Sequence, residues 1–153
     1  MLEPSEVAPR GPWSLRLELR AELVNLRIVR WAVAEVAALV GLSSEASAPL
    51  ELCAVEAVTN IIRHGYGEDA TRVFYCEIAI GEEQIVLRCE DEGHPIPEEQ
   101  WREATRIEDT DDEHLVSEGG RGLFLLCELM DSVDYAAGKP NVLIMRKAIS
   151  DLL

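Results

Sequence analysis

A chain of 153 residues with a 48% hydrophobic share is long enough to bury one core, and its formal net charge of −15 sets it against nucleic acid, since so acidic a surface repels phosphates. No apolar run spans a membrane: the most apolar, IVRWAVAEVAALVGL, is interrupted by Arg30 and Glu35 and has helical periodicity. The four cysteines, Cys53, Cys76, Cys89 and Cys127, and the three histidines, His64, His94 and His114, are too scattered for a zinc site, and the cysteines read as reduced core thiols.

Residues 1–12, MLEPSEVAPRGP, carry three prolines and acidic residues where a signal peptide has basic and then apolar ones. They are expected to form a flexible arm before a single cytoplasmic domain over 13–153. SLRLELRAE follows, alternating Leu15, Leu17 and Leu19 against Arg16, Glu18 and Arg20, the period of a half-buried strand. From Leu23 to Leu39 the apolar residues recur at helical spacing, and Gly41 stands where a C-terminal cap belongs. A second helix is expected from an N-cap at Ser43 or Ser44 to Gly65 or Gly67, with Pro49 near its first turn or at a break.

RVFYCEIAI and QIVLRCED, joined by GEE, read as a β-hairpin. Then come loop chemistry in DEGHPIP, a short helix in EEQWREA, and the long acidic stretch TRIEDTDDEHLVSEGG, whose lack of periodicity suits a lid or mobile loop. RGLFLLCELM gives a further helix, and DSVDYAA and NVLIMRKAI a closing hairpin across GKP. The order is that of an α+β sandwich, one mixed or antiparallel sheet with helices on one face. Trp31 and Trp101, in amphipathic helices, read as packing residues.

Three segments carry candidate chemistry. Glu56, Asn60 and His64 drift only about 40° per step on a helix, so they form one polar stripe, flanked by a face of Leu52, Val55, Thr59 and Ile62. Such a stripe is either a solvated face or a coordinating edge; Asn, a mediocre helix former, wants a reason to be there. EDEGHPIP ends a strand with Asp91 and then Gly93, a carboxylate beside backbone free enough to approach a flat ring. SEGGRGLFLL puts Gly119, Gly120 and Gly122 at a helix start, which is either an ordinary cap or a phosphate cradle.

In this order, EAVTNIIRHGYGED, DEGHPIP and GGRGLFLLCELMDSVDY resemble the N, G1 and G2 boxes of the GHKL ATP-binding superfamily, and most closely its small bacterial serine kinases that act as anti-sigma factors in sporulation and stress response. The resemblance runs from the first strand to the last and implies a Bergerat-type ATP-binding sandwich, with ATP and Mg²⁺ as cofactors. It makes Glu56 the general base toward a serine of a STAS-domain anti-anti-sigma partner and Asn60 the Mg²⁺ ligand. Asp91 would accept from the adenine amino group with Gly93 beside the ring, while Gly119, Gly120, Arg121 and Gly122 would enclose the phosphates. His64 either lines the site or sits at a helix C-terminus for dipole reasons. A sigma factor of RNA polymerase and a second copy of the chain, through the first strand and helix, are the other implied partners. Two features depart from the pattern: the G1 box lacks a second glycine at His94-Pro95, and the lid EDTDDEHLVSE has no Lys or Arg. A nucleotide-binding module without turnover, or a switch kinase that phosphorylates a STAS partner but binds no sigma factor, are the alternatives.

Overall fold

The computed structural model describes residues 12–106 and 118–153; residues 1–11 of the expected arm and 107–117 of the expected lid lie outside the described residues. Five strands are described: β1 (Trp13–Arg20), β2 (Val73–Ile80), β3 (Gln84–Asp91), β4 (Ser132–Ala136) and β5 (Asn141–Ala148). They form one sheet in the order β1-β2-β3-β5-β4, every neighbouring pair antiparallel. Period-2 alternation sorts the side chains. Leu17, Cys76, Cys89 and Leu143 lie in register across the sheet on the inner face. Phe74, Ile78, Leu87 and Met145 share that face and are almost fully buried. The outer face carries Arg16, Glu77, Arg88 and Glu90, with Arg16 paired to Glu77 at 3.5 Å and Glu90 at 3.1 Å, and Arg88 to Glu90 at 2.8 Å.

The helices cover the inner face. α1 (Leu26–Leu39), preceded by a 3₁₀ turn over Leu23–Asn25, buries Val29, Val33 and Val36. Gly41 closes it with φ +86°, where a side chain would be strained. α2 (Ser44–Asn60) starts at the expected cap, the Ser43 hydroxyl accepting from the Ala46 N–H at 3.2 Å. α3 (Glu98–Arg106) and α4 (Glu118–Leu129) complete the layer. The α+β sandwich with helices on one face is therefore present, and its sheet is wholly antiparallel. Cys53, Cys76 and Cys89 are buried and Cys127 half-buried, all unpaired, as the composition suggested.

One local expectation, the packing of Trp31, needs correction, and two open points are made definite. Of the two places open to Pro49 the break is excluded: α2 runs through it, and Pro49 is half-buried at the start of the second turn, next to the first. The buried face of α2 is Leu50, Cys53, Ala54, Ala57 and Val58, whereas Leu52 is 43% exposed and Val55 and Thr59 half-buried. The Thr59 hydroxyl donates to the Val55 carbonyl at 2.6 Å, so it serves its own helix. Trp31 is 63% exposed and is not part of the core formed by the described residues, whereas Trp101 packs against the core and the Tyr135 ring, centroids 5.4 Å apart.

Candidate functional site

α2 does not stop at Gly65 as an α-helix. The five residues that follow it, Ile61–Gly65, form a π turn in which the Tyr66 N–H donates to the Ile61 carbonyl, five residues back, at 2.9 Å. Gly67 and Glu68, at φ +58° and +61°, then reverse the chain. Along the polar stripe Glu56 and Asn60 are half-buried, and His64, within the π turn, is exposed at the rim.

A second edge comes from the end of β3. Asp91 is only 8% exposed, and its Oδ1 accepts the Gly93 N–H at 2.9 Å and the Asn141 amide at 3.1 Å. Burial raises its pKa; the hydrogen bonds from Asn141 and Gly93 and the charge of Arg72 oppose the rise. The loop after Asp91 is pressed against the π turn, the His94 N–H donating to the Gly65 carbonyl at 2.8 Å. A Cβ on Gly93 would stand 2.4 Å from that carbonyl oxygen, so glycine is required by contact alone. The Tyr66 hydroxyl ties the same corner together, donating to the Val73 carbonyl and accepting the Glu92 N–H, each at 2.7 Å. Tyr135 on β4 does so from the other side, its hydroxyl accepting the Ile96 N–H at 2.9 Å.

The third edge is α4, whose first turn contains Gly119 and Gly120, with Arg121 exposed and Gly122 next. The glycines lie within the helix rather than ahead of it. A Cβ on Gly122 would stand 2.9 Å from Glu56 Oε2 and 3.7 Å from Asn60 Nδ2, so the acid and the amide both face this glycine.

Between the three edges lies a cavity of about 360 Å³. Asn60, His64, Gly65 and Asp91 line it together with His94, Pro95, Ile96 and Gln100, and Ala57, Leu123, Tyr135 and Leu143 supply apolar wall. The size and the few polar groups on an apolar lining suit one flat heterocycle. The structure thus brings Glu56, Asn60, Asp91, Gly93 and Gly122 to one region, with His64 on its rim and Arg121 on the exposed side of the glycine turn. Sequence reasoning passed over Asn141, Tyr66 and Tyr135. Asn141 did carry a signal: a polar residue at an inward strand position, in register with Leu143 and Met145.

The profile of the histidine kinase-like ATPase domain matches residues 19–147. The chain is 31% identical over 140 residues to the serine-protein kinase RsbW of Listeria monocytogenes serotype 4a, covering 90% of this chain and 87% of the relative. It is 30% identical over 138 residues to the anti-sigma F factor of Clostridium perfringens, covering 89% and 96%. Among solved structures it superposes on the RsbU and RsbW domains of Rv1364c from Mycobacterium tuberculosis with a TM-score of 0.64 at 18% identity, over 91% of this chain and 32% of that one. With the SiaB–SiaC complex from Pseudomonas aeruginosa the TM-score is 0.60 at 13% identity, covering 88% and 89%. These two likenesses speak for the fold.

Proposed function

Because this chain belongs to the histidine kinase-like ATPase family, among the relatives of the RsbW serine-protein kinases, we propose that it is an ATP- and Mg²⁺-dependent protein serine/threonine kinase acting as an anti-sigma factor. It phosphorylates a STAS-domain anti-anti-sigma antagonist and, when that antagonist is absent or phosphorylated, sequesters a sigma factor. The observation that carries the reading is the convergence of Glu56 and Asn60 on Gly122 beside a cavity that ends in Asp91.

In this reading the adenine enters between Ala57 and Leu123, its amino group donating to Asp91 with Gly93 alongside. His64 stands at the rim. Gly119, Gly120 and Gly122 let the first turn of α4 approach the phosphates, where N–H groups and the positive end of the helix dipole meet them, and Arg121 adds charge from outside. Asn60 offers a hard amide oxygen beside a carboxylate, a donor set that fits Mg²⁺, a cation that keeps several waters and uses one or two protein ligands. When bound, Mg²⁺ neutralises charge on the phosphates. Glu56 accepts the proton of the partner's serine hydroxyl as that oxygen bonds to the γ-phosphorus and the bond to ADP breaks.

No helix among the described residues is long and apolar enough to cross a membrane, in keeping with work in the cytoplasm on protein partners. A homodimer through β1 and α1 is supported by apolar side chains left open on them and on the 3₁₀ turn between, Leu15, Val24, Ile28 and Trp31.

The decisive experiment follows labelled γ-phosphate from ATP to a purified STAS partner. Glu56→Gln is expected to keep ATP binding and lose transfer by about 100-fold or more. Asn60→Ala is expected to lose the Mg²⁺-dependent part of nucleotide affinity. Transfer by Glu56→Gln at the unmutated rate would remove the base assignment, and absence of transfer by the unmutated protein would leave a nucleotide-binding regulator.

A further inference from the structure

We propose that Asn141 is a positioning residue of the nucleobase site, holding the Asp91 carboxylate so that Oδ1 is occupied by protein donors and Oδ2 is the oxygen left to read an exocyclic amine. The inference rests on the nucleotide-site reading above and adds to it the residue that sets base selectivity.

Asn141 opens β5 directly opposite Asp91 in the β3–β5 register, and it is 1% exposed. Its amide nitrogen donates to Asp91 Oδ1 at 3.1 Å and to the Gly93 carbonyl at 2.9 Å, and its amide oxygen accepts the Gly138 N–H at 2.9 Å. Both N–H bonds of the amide are thereby used, so Asn141 has no donor left for a ligand and acts only through what it holds. Asp91 Oδ1 takes a second hydrogen bond from the Gly93 N–H at 2.9 Å. Among the described residues no donor is recorded on Oδ2 of this cavity-lining residue.

One side chain therefore fixes two things a purine would meet, the rotation of the carboxylate and the height of the Gly93 peptide. The donor also favours the ionised acceptor form of Asp91 against the burial that opposes it. A purely structural Asn, closing the Gly138 turn, would have no need to reach both Asp91 and Gly93.

The test compares equilibrium binding of ATP and of purine riboside triphosphate, which lacks only the 6-amino group, to the full chain with Mg²⁺ present. The unmutated protein is expected to prefer ATP by at least about tenfold. Asn141→Leu should weaken ATP binding by about tenfold or more while changing the analogue by less than about threefold, so that the preference collapses. Asn141→Ser, which keeps one short donor, should retain part of the preference, and it carries the test if the leucine variant does not fold by circular dichroism. A variant that keeps the full preference, or loses affinity for both ligands equally, overturns the positioning role. An unmutated protein that binds both ligands equally overturns this proposal alone, whereas one that binds neither removes the nucleotide site itself.

Discussion

Glu56 and Gly122 touch so closely that the smallest side chain at position 122 has an opposite effect on stability and on chemistry. Alanine there replaces glycine inside α4, which favours the helix by up to about 1 kcal/mol. The one tight contact of its Cβ is with the far end of the Glu56 side chain, 2.9 Å away, and that end can move; Asn60 Nδ2, at 3.7 Å, is at ordinary contact distance. Gly122→Ala is expected to leave the thermal midpoint equal or higher, yet to slow phosphate transfer by about tenfold or more, because a base displaced by part of an ångström no longer meets the proton it must take. Equal transfer rates would show that Glu56 is not held by this contact. Cys53, one turn before Glu56, is a converse case: burial first and the Glu56 charge second push its thiol up to about 12, so it stays protonated and should resist alkylation in the folded protein.

At the level of elements, Tyr66 joins three of them, the π turn, the start of β2 and the end of β3. Tyr66→Phe keeps the ring beneath the Arg72 guanidinium, 4.8 Å from its centroid, but leaves the Glu92 N–H and the Val73 carbonyl without their partner. It is expected to cost about 1–3 kcal/mol in chemical denaturation and to weaken nucleotide binding through the loosened Asp91 loop. On the open sheet face, hydrogen bonds from Arg16 above all, and from Arg88, hold Glu90 below the usual carboxylate range. A depressed carboxylate contributes stability above its unfolded pKa and loses it as pH falls through the folded value. Arg16→Met should therefore destabilise at pH 7, and its gap from the unmutated protein should narrow below about pH 4. A gap independent of pH would put the cost in the stacking of Arg16 on Tyr75, 4.7 Å from the ring centroid, instead.

The elements themselves were readable because alternation and helical spacing are local: β2, β3 and β5 start within a residue of where their β-branched and aromatic runs do. The π turn was not, since nothing in IIRHG announces one extra residue per turn. In the same way Asn60, Asp91 and the glycines stood out as residues unusual for their elements and Glu56 by its spacing from Asn60, whereas Tyr66, Tyr135 and Asn141 act across sequence separations of 26, 39 and 50 residues that no local pattern encodes.

For the whole molecule the net charge of −15 gives the proposed partner switch its physical lever. A phosphate on the antagonist's serine adds negative charge facing a negative protein, so modified antagonist should bind more weakly than unmodified. Titrations between about 0.02 and 0.5 M salt should show that difference shrinking as the Debye length falls from about 20 Å to a few ångströms. A difference insensitive to salt would point to a steric clash. The backbones of Gly65 and Gly93 meet where the end of α2 and the end of β3 cross, and this carries a genetic corollary. Every missense codon at position 93 adds at least a carbon where a peptide oxygen already stands, so in a complementation screen each such allele should behave as a null, although the position bears no reactive group.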